Sequence, residues 1–197
     1  MKTYGVLGTV LTVSLLSACN RTDEAGDNLM RHNATTAIAF FAEACIETGA
    51  DLQGMAAWAR QKGWHKLEKA ELTAQPFGLL AADAKNVWLF RPDKDTAYYL
   101  SGDGNCRIQV TRADADILQE GFAKLALQGR NGVQAALRAE NYTSTPFPFT
   151  QKVYSWWRPG SGSEVLLTAN TSVSDFLPAQ AALDYREEQL GKVVINH

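Results

Sequence analysis

Histidine and cysteine are scarce in this chain, three of each, and the scarcity removes whole classes of chemistry. A zinc site needs several such ligands converging at fixed spacing. Here His32 falls in a polar stretch near the start, His65 stands alone and His197 is the last residue, so neither a metal nor a cofactor is expected. No Cys-x-x-Cys pair is present, which argues against a redox thiol. Positive charge is also not in excess. The formal net charge is −2 and Lys and Arg are scattered, so no general nucleic-acid surface is expected.

Sequence signatures of catalysis are missing too. Gly160-Ser161-Gly162-Ser163-Glu164 does not match the Gly-x-Ser-x-Gly of a nucleophile elbow. Gly102-Asp103-Gly104 is too short to cradle a phosphate and lies between expected strands. Asp93, Asp95 and Asp103 lack the ligand rhythm of a calcium-binding loop and read as solvated turn residues. The adjacent Glu187 and Glu188 read as water-facing charges.

Long apolar runs are absent as well. The longest, Tyr4 to Leu15 with its interspersed Gly, Thr and Ser, falls short of the roughly 18 to 20 residues a spanning helix needs. What it does resemble is an export signal: Lys2 opens it, and small residues, Ser17 and Ala18, close it. Leu16-Ser17-Ala18-Cys19 resembles the lipobox of bacterial lipoproteins. That resemblance implies removal of residues 1–18 and lipidation of Cys19 by acyl chains such as palmitate, which would fix the chain to a membrane with no spanning helix. Asn20, in place of an aspartate after the cysteine, implies the periplasmic face of the outer membrane. Cleavage by the ordinary signal peptidase, giving a soluble periplasmic protein, is the alternative.

The stretch NRTDEAGDNLMRH, residues 20–32, has little apolar surface to offset the entropy of ordering. Residues 19–32 therefore read as lipidated cysteine and flexible tether, and 33–197 as one domain. With Cys19 assigned to lipid, Cys45 and Cys106 remain, an even number in an oxidising compartment, and they are expected to pair.

Along the domain, Ala34 to Thr48 puts Ile38, Phe41 and Cys45 on one helical face, with Gly49 as a left-handed cap. Asp51 can cap a second helix through Gln61, with Leu52, Met55 and Ala59 inward. Trp64 to Ala84 reads mostly as loop. NVWLF, TAYYL and CRIQV, from Asn86 to Val110, read as three strands separated by turns. Thr111 can cap a helix from about Ala113 to Gln128, and a shorter helix is expected over Val133 to Ala139. QKVYSWWR and EVLLTAN read as two more strands, with Gln180 to Arg186 as a further strand or, nearly as well, a helix. Grouped runs of this kind indicate α+β: an antiparallel sheet of about five to six strands, with an N-terminal helical hairpin and a central helix packed on one face. The Phe41–Cys45 step, the Gly63-Trp64 pair and Cys106 loosely resemble small exported proteobacterial proteins of unknown function over about half of the mature chain, and that likeness implies no activity.

Aromatic doublets are the remaining signal. Tyr98-Tyr99 and Trp156-Trp157-Arg158 sit on expected strands, so one ring of each pair should enter the core while the other faces outward. Exposed Trp, Tyr and Arg are favoured anchors of protein interfaces. These five residues are the candidate partner-binding set, and no catalytic residue is assigned. The leading expectation is a non-catalytic envelope lipoprotein that binds a protein or cell-wall partner, possibly of inhibitor or immunity type. A periplasmic hydrolase with a carboxylate site assembled by folding is the second reading, and a structural or assembly factor of the outer membrane the third.

Overall fold

The computed structural model describes residues 18–81, 84–102, 104–129 and 132–189. The signal-peptide reading of 1–18 lies, but for Ala18, outside the described residues, as do Asp103 and His197. The chain is α+β. Its helices are α1 (Ala18–Phe41), continued by a π turn (Ala42–Ile46), α2 (Leu52–Gln61), α3 (Lys69–Thr73) and α4 (Ala115–Gln128). Its strands are β1 (His65–Lys66), β2 (Val87–Phe90), β3 (Tyr98–Gly102), β4 (Cys106–Val110), β5 (Gln134–Thr143), β6 (Phe149–Trp157), β7 (Ser163–Thr171) and β8 (Ala181–Gln189). They form one sheet in the order β1-β2-β3-β4-β8-β7-β6-β5, with every neighbouring pair antiparallel.

The sheet is larger than the five to six strands expected from sequence, for two identifiable reasons. Gln134–Thr143, read in part as a helix, is an edge strand paired along β6 with a bulge between Leu137 and Ala139. Its Ala, Leu, Arg and Glu residues favour helix locally, but pairing with a long neighbouring strand outweighs a propensity of a few tenths of a kcal/mol per residue. The second addition is β1, only two residues long and too short to show a period.

The N-terminal segment also departs from expectation. Helix α1 runs through the stretch 19–32 read as a tether. Residues 24–29 are exposed, whereas Asn33, Ala34, Ala37 and Phe41 are buried. Extending an existing helix costs far less than nucleating one, so the packed part can propagate back through polar residues that have no core to bury.

The hairpin of α1 and α2 forms as its sequence indicates. Gly49 takes a left-handed φ of 64°, a conformation without steric cost for glycine, and the Asp51 carboxylate accepts the Gly54 amide at 2.7 Å. Met55 and Ala59 are fully buried, while Leu52, expected inward, is 42 % exposed. Helix α4 begins slightly later than expected, at Ala115: Asp114, rather than Thr111, caps it by accepting the amides of Asp116 and Ile117.

Strand alternation divides the interior in two. Trp88, Tyr98, Leu100, Ile108, Tyr154, Trp156, Leu167 and Leu183 share the main core with residues of α1, α2 and α4 such as Phe41, Met55 and Phe122. On the opposite face of β2 and β3, Val87, Leu89 and Tyr99 pack with Leu67, Leu72 and Leu79 from the α3 segment. The N-terminal hairpin and α4 thus share one face, and the smaller α3 layer covers part of the other.

Cys45, at the π turn, is bonded to Cys106 at the start of β4, with Cα atoms 5.4 Å apart. Both residues are fully buried. Closing a loop of 61 residues removes chain entropy from the unfolded state worth roughly 4 kcal/mol. Cys45→Ala/Cys106→Ala should therefore lower the urea unfolding free energy by about 3 to 4 kcal/mol, and reductant should lower the wild-type melting temperature but leave that of the double variant unchanged.

Candidate functional site

The aromatic residues singled out from sequence are not brought together. Tyr98 and Tyr99 do point to opposite faces, but each face is covered there, and both are buried. This corrects the expectation that one of the two rings would be exposed: β3 lies between the helical layer and the α3 segment. The Tyr98 hydroxyl donates to Asn33 Oδ1 at 3.0 Å, and burial pushes its phenol up to about 12. The Tyr99 hydroxyl donates to Gln75 Oε1 at 2.9 Å. Both rings act as structural ties.

Trp156, Trp157 and Arg158 stay near one another. Trp156 is a core residue whose indole N–H donates to the Ala126 carbonyl at 2.5 Å. Trp157 is half-buried on the other face and Arg158 is exposed. Together with Glu164 and Tyr185 they line a hollow of about 240 Å³ beside the β6–β7 turn. Of the five candidates, then, Trp157 and Arg158 are the ones with side chains at the surface.

A larger concavity lies in the stretch expected to be mostly loop. The segment from Lys66 to Lys85 encloses a cleft of about 860 Å³, with Leu67, Leu72, Pro76, Phe77, Leu80, Ala81 and Ala84 as its apolar lining. Lys66, Lys69 and Lys85 contribute cations and Glu68 the one carboxylate among the described lining residues. The Lys66 ammonium lies 5.9 Å from the Trp88 ring centroid, within cation–π range. Phe77 is fully exposed. The short α3 that forms one wall is fixed at its start by Glu71, whose carboxylate accepts the Glu68 amide at 2.8 Å and contacts His65 Nε2 at 2.9 Å. Those two contacts, the amide first, hold the Glu71 carboxyl below its usual range. The size and mainly apolar lining are those of a binding cleft. Its sequence signal was present in Pro76-Phe77-Gly78, a large apolar residue held in a turn.

On the sheet face away from the main core, side chains of five adjacent strands form a hydrogen-bonded row. Arg107 of β4 donates to Asp184 of β8 at 2.5 Å, and Asn170 of β7 donates to Asp184 at 3.3 Å. Gln151 of β6 donates to Asn170 at 2.9 Å, and Asn141 of β5 donates to Gln151 at 3.2 Å. A second group links Arg138, Glu164 and Ser155 across β5, β7 and β6. Burial raises the Asp184 carboxyl above its ordinary value, an effect that outweighs the Arg107 guanidinium beside it.

Among the described residues, no group of three or more His, Cys, Asp or Glu could hold a metal ion. His65 is engaged with Glu71, and Asp93 closes its own turn by accepting the amides of Asp95 and Thr96. No helix among the described residues is long and apolar enough to cross a membrane. No protein-family model matches the chain, and no curated protein matches it.

The sign of the Asp184 shift fixes a pH dependence. An unfolded aspartate titrates near ~3.9; the folded state holds this proton more tightly, so stability is lost as pH rises from about 4 through the folded-state value. Asp184→Asn lacks that loss. Urea unfolding from pH 3.5 to 7 should show the variant gaining stability relative to wild type as pH rises, and a difference that is flat or falls would contradict the assignment.

Proposed function

We propose that the protein is a non-catalytic envelope lipoprotein that binds a protein partner through the cleft between α3 and the Pro76–Lys85 segment. The observation that carries this reading is the cleft itself: about 860 Å³, mainly apolar, with lysines outnumbering carboxylates among its described lining residues. Such a site suits an apolar segment flanked by acidic residues, because burial of the apolar side chains provides the driving force and opposite charge fixes orientation. An inhibitor or immunity role is the specific form of this reading.

The anchor in this proposal is Cys19. It rests on the lipobox resemblance, and the exposed polar turns 24–29 of α1 suit a stem between lipid and domain. Location on the periplasmic face of the outer membrane rests on Asn20. The hydrolase alternative would need two carboxylates at one accessible centre, and Asp184, with its raised proton affinity, is instead bound to Arg107 and Asn170. The assembly-factor alternative differs only in its partner.

Two experiments test these readings. Cys19→Ala should abolish incorporation of a fatty-acid analogue and move the protein to the soluble fraction, and label retained on the variant would refute the anchor. In crosslinking from intact envelopes, the wild-type protein should capture a defined partner. Phe77→Asp and Lys69→Glu should reduce that capture by about tenfold or more, with melting temperatures unchanged because both side chains are exposed. Undiminished capture by both variants would remove the cleft from the interface, and turnover of a cell-wall substrate by purified protein would overturn the non-catalytic assignment.

A further inference from the structure

The apolar residues most exposed after Phe77 cluster at one end of the sheet. Phe176 is 86 % exposed, Val173 and Tyr142 nearly as open, and Phe147 borders the same region. Phe147, in the β5–β6 turn, stacks on Phe176, in the β7–β8 turn, with ring centroids 6.0 Å apart. The two turns are tied together, since the Ser172 hydroxyl donates to the Pro148 carbonyl at 2.5 Å. The β7–β8 turn is closed by the Ser172 amide on the Gln180 carbonyl at 2.8 Å and by the Gln180 side chain on Asp175 at 2.9 Å. The phenylalanines are therefore held outward by an ordered framework.

Helix α1 leads to this same end. The pairs Val110 with Ala181, Ala181 with Thr171 and Thr171 with Thr150 form one row across β4, β8, β7 and β6, and both aromatic turns lie past it. Cys45 is bonded to Cys106 at the far end of β4, whereas Asn33 donates to Thr96 and to the Arg112 carbonyl, just past Val110, at 3.1 and 3.0 Å. The helix thus runs along β4 against its direction, and its exposed turns 24–29 continue beyond the row. From Met30, whose carbonyl accepts the Asp114 amide, to Cys19 is about 17 Å of helix.

We propose that the Phe147–Phe176 turn pair is a second membrane contact, which enters the interfacial layer of the bilayer that holds the acyl chains of Cys19. It rests on the lipid-anchor reading, because the helix carrying Cys19 leaves the domain on the side where the rings protrude. The chemistry fits the headgroup boundary, into which surface-bound segments bury Phe, Trp and Leu side chains. Residues 142–148 (YTSTPFP) carry no charged side chain, and residues 172–179 (SVSDFLPA) carry one, Asp175, which is paired with Arg112 at 3.7 Å.

The test uses the lipidated protein purified from membranes, with an environment-sensitive dye on Val173→Cys, and vesicles of phosphatidylethanolamine and phosphatidylglycerol. The expected result is a blue shift on binding and quenching by lipids with a nitroxide near the headgroup, while a dye on Phe77→Cys stays in water. Phe147→Ser/Phe176→Ser should cut the quenching by about tenfold. The same label in the Cys19→Ala chain separates the two readings. Quenching that persists there supports the turn contact alone; a lipidated protein held on vesicles with its dye in water overturns the contact and leaves the anchor; no binding by either chain overturns both. If the dye stays in water on vesicles but is shielded from an aqueous quencher in native envelope fragments, the turns contact a protein partner and the proposal is overturned.

Discussion

Five backbone pairs between Cys106–Val110 and Ala181–Tyr185 hold the two halves of this molecule together as one sheet. Strands β1 to β4 form one meander and β5 to β8 another, and β4–β8 is the strand pairing that joins them. Because it couples residues from near the middle of the chain to residues near its end, the entropy of closing that loop must be offset by what the joined sheet buries. Helix α1 packs along β4 and against α4, which in turn packs on β5, β6 and β7. The helical layer therefore bridges the same seam from above. The Cys45–Cys106 bond fixes one end of that layer to β4, and the Asn33 contacts with Thr96, Tyr98 and Arg112 fix the other.

This arrangement explains which parts of the fold could be read from sequence. Features with short-range causes were legible: the Asp51 cap, the left-handed Gly49, the strand runs VWLF and CRIQV, and the burial of Phe41, Met55 and Cys45. Features decided by distant partners were not. Gln134–Thr143 has helical composition and becomes a strand because β6 offers it a ladder. One ring of the Tyr98-Tyr99 pair was expected to face water because alternation tells only that the two take opposite faces, not what covers each face. In this chain the cover is supplied by a segment, Leu67 to Leu80, whose own sequence carries almost no period.

The candidate surfaces were less legible than the fold for a related reason. Trp156 and Trp157 drew attention as an aromatic doublet, yet strand position buries the first and half-buries the second. The rings that are free lie instead in turns. Phe147 stands between two prolines and Phe176 precedes Leu177 and Pro178, contexts in which a large apolar residue cannot join a regular core-facing stripe. Sequence separation hid their stacking, which depends on the β5–β6 and β7–β8 hairpins turning at the same end of the sheet. An apolar residue isolated within a Pro- or Ser-rich turn was thus the more informative signal, and Phe77 obeys the same rule.

The outer sheet face shows why polarity there need not mean catalysis. Arg107, Asp184, Asn170, Gln151 and Asn141 hydrogen-bond to one another across five strands, and both Asp184 carboxylate oxygens accept from neighbours in that row, Oδ1 from Arg107 and Oδ2 from Asn170. Cross-strand pairs of this kind contribute on the order of 0.2 to 1 kcal/mol each, and they make that part of the face polar where an exposed apolar patch would promote association. Among the described residues, the cleft beside α3 and the two aromatic turns are where exposed apolar side chains gather. They differ in position: the cleft borders the β1–β2 half, and the turns extend past the end of the β5–β8 half. A domain resting on its aromatic turns and tethered by α1 would therefore present the cleft to a partner from a part of its surface that the bilayer does not occupy.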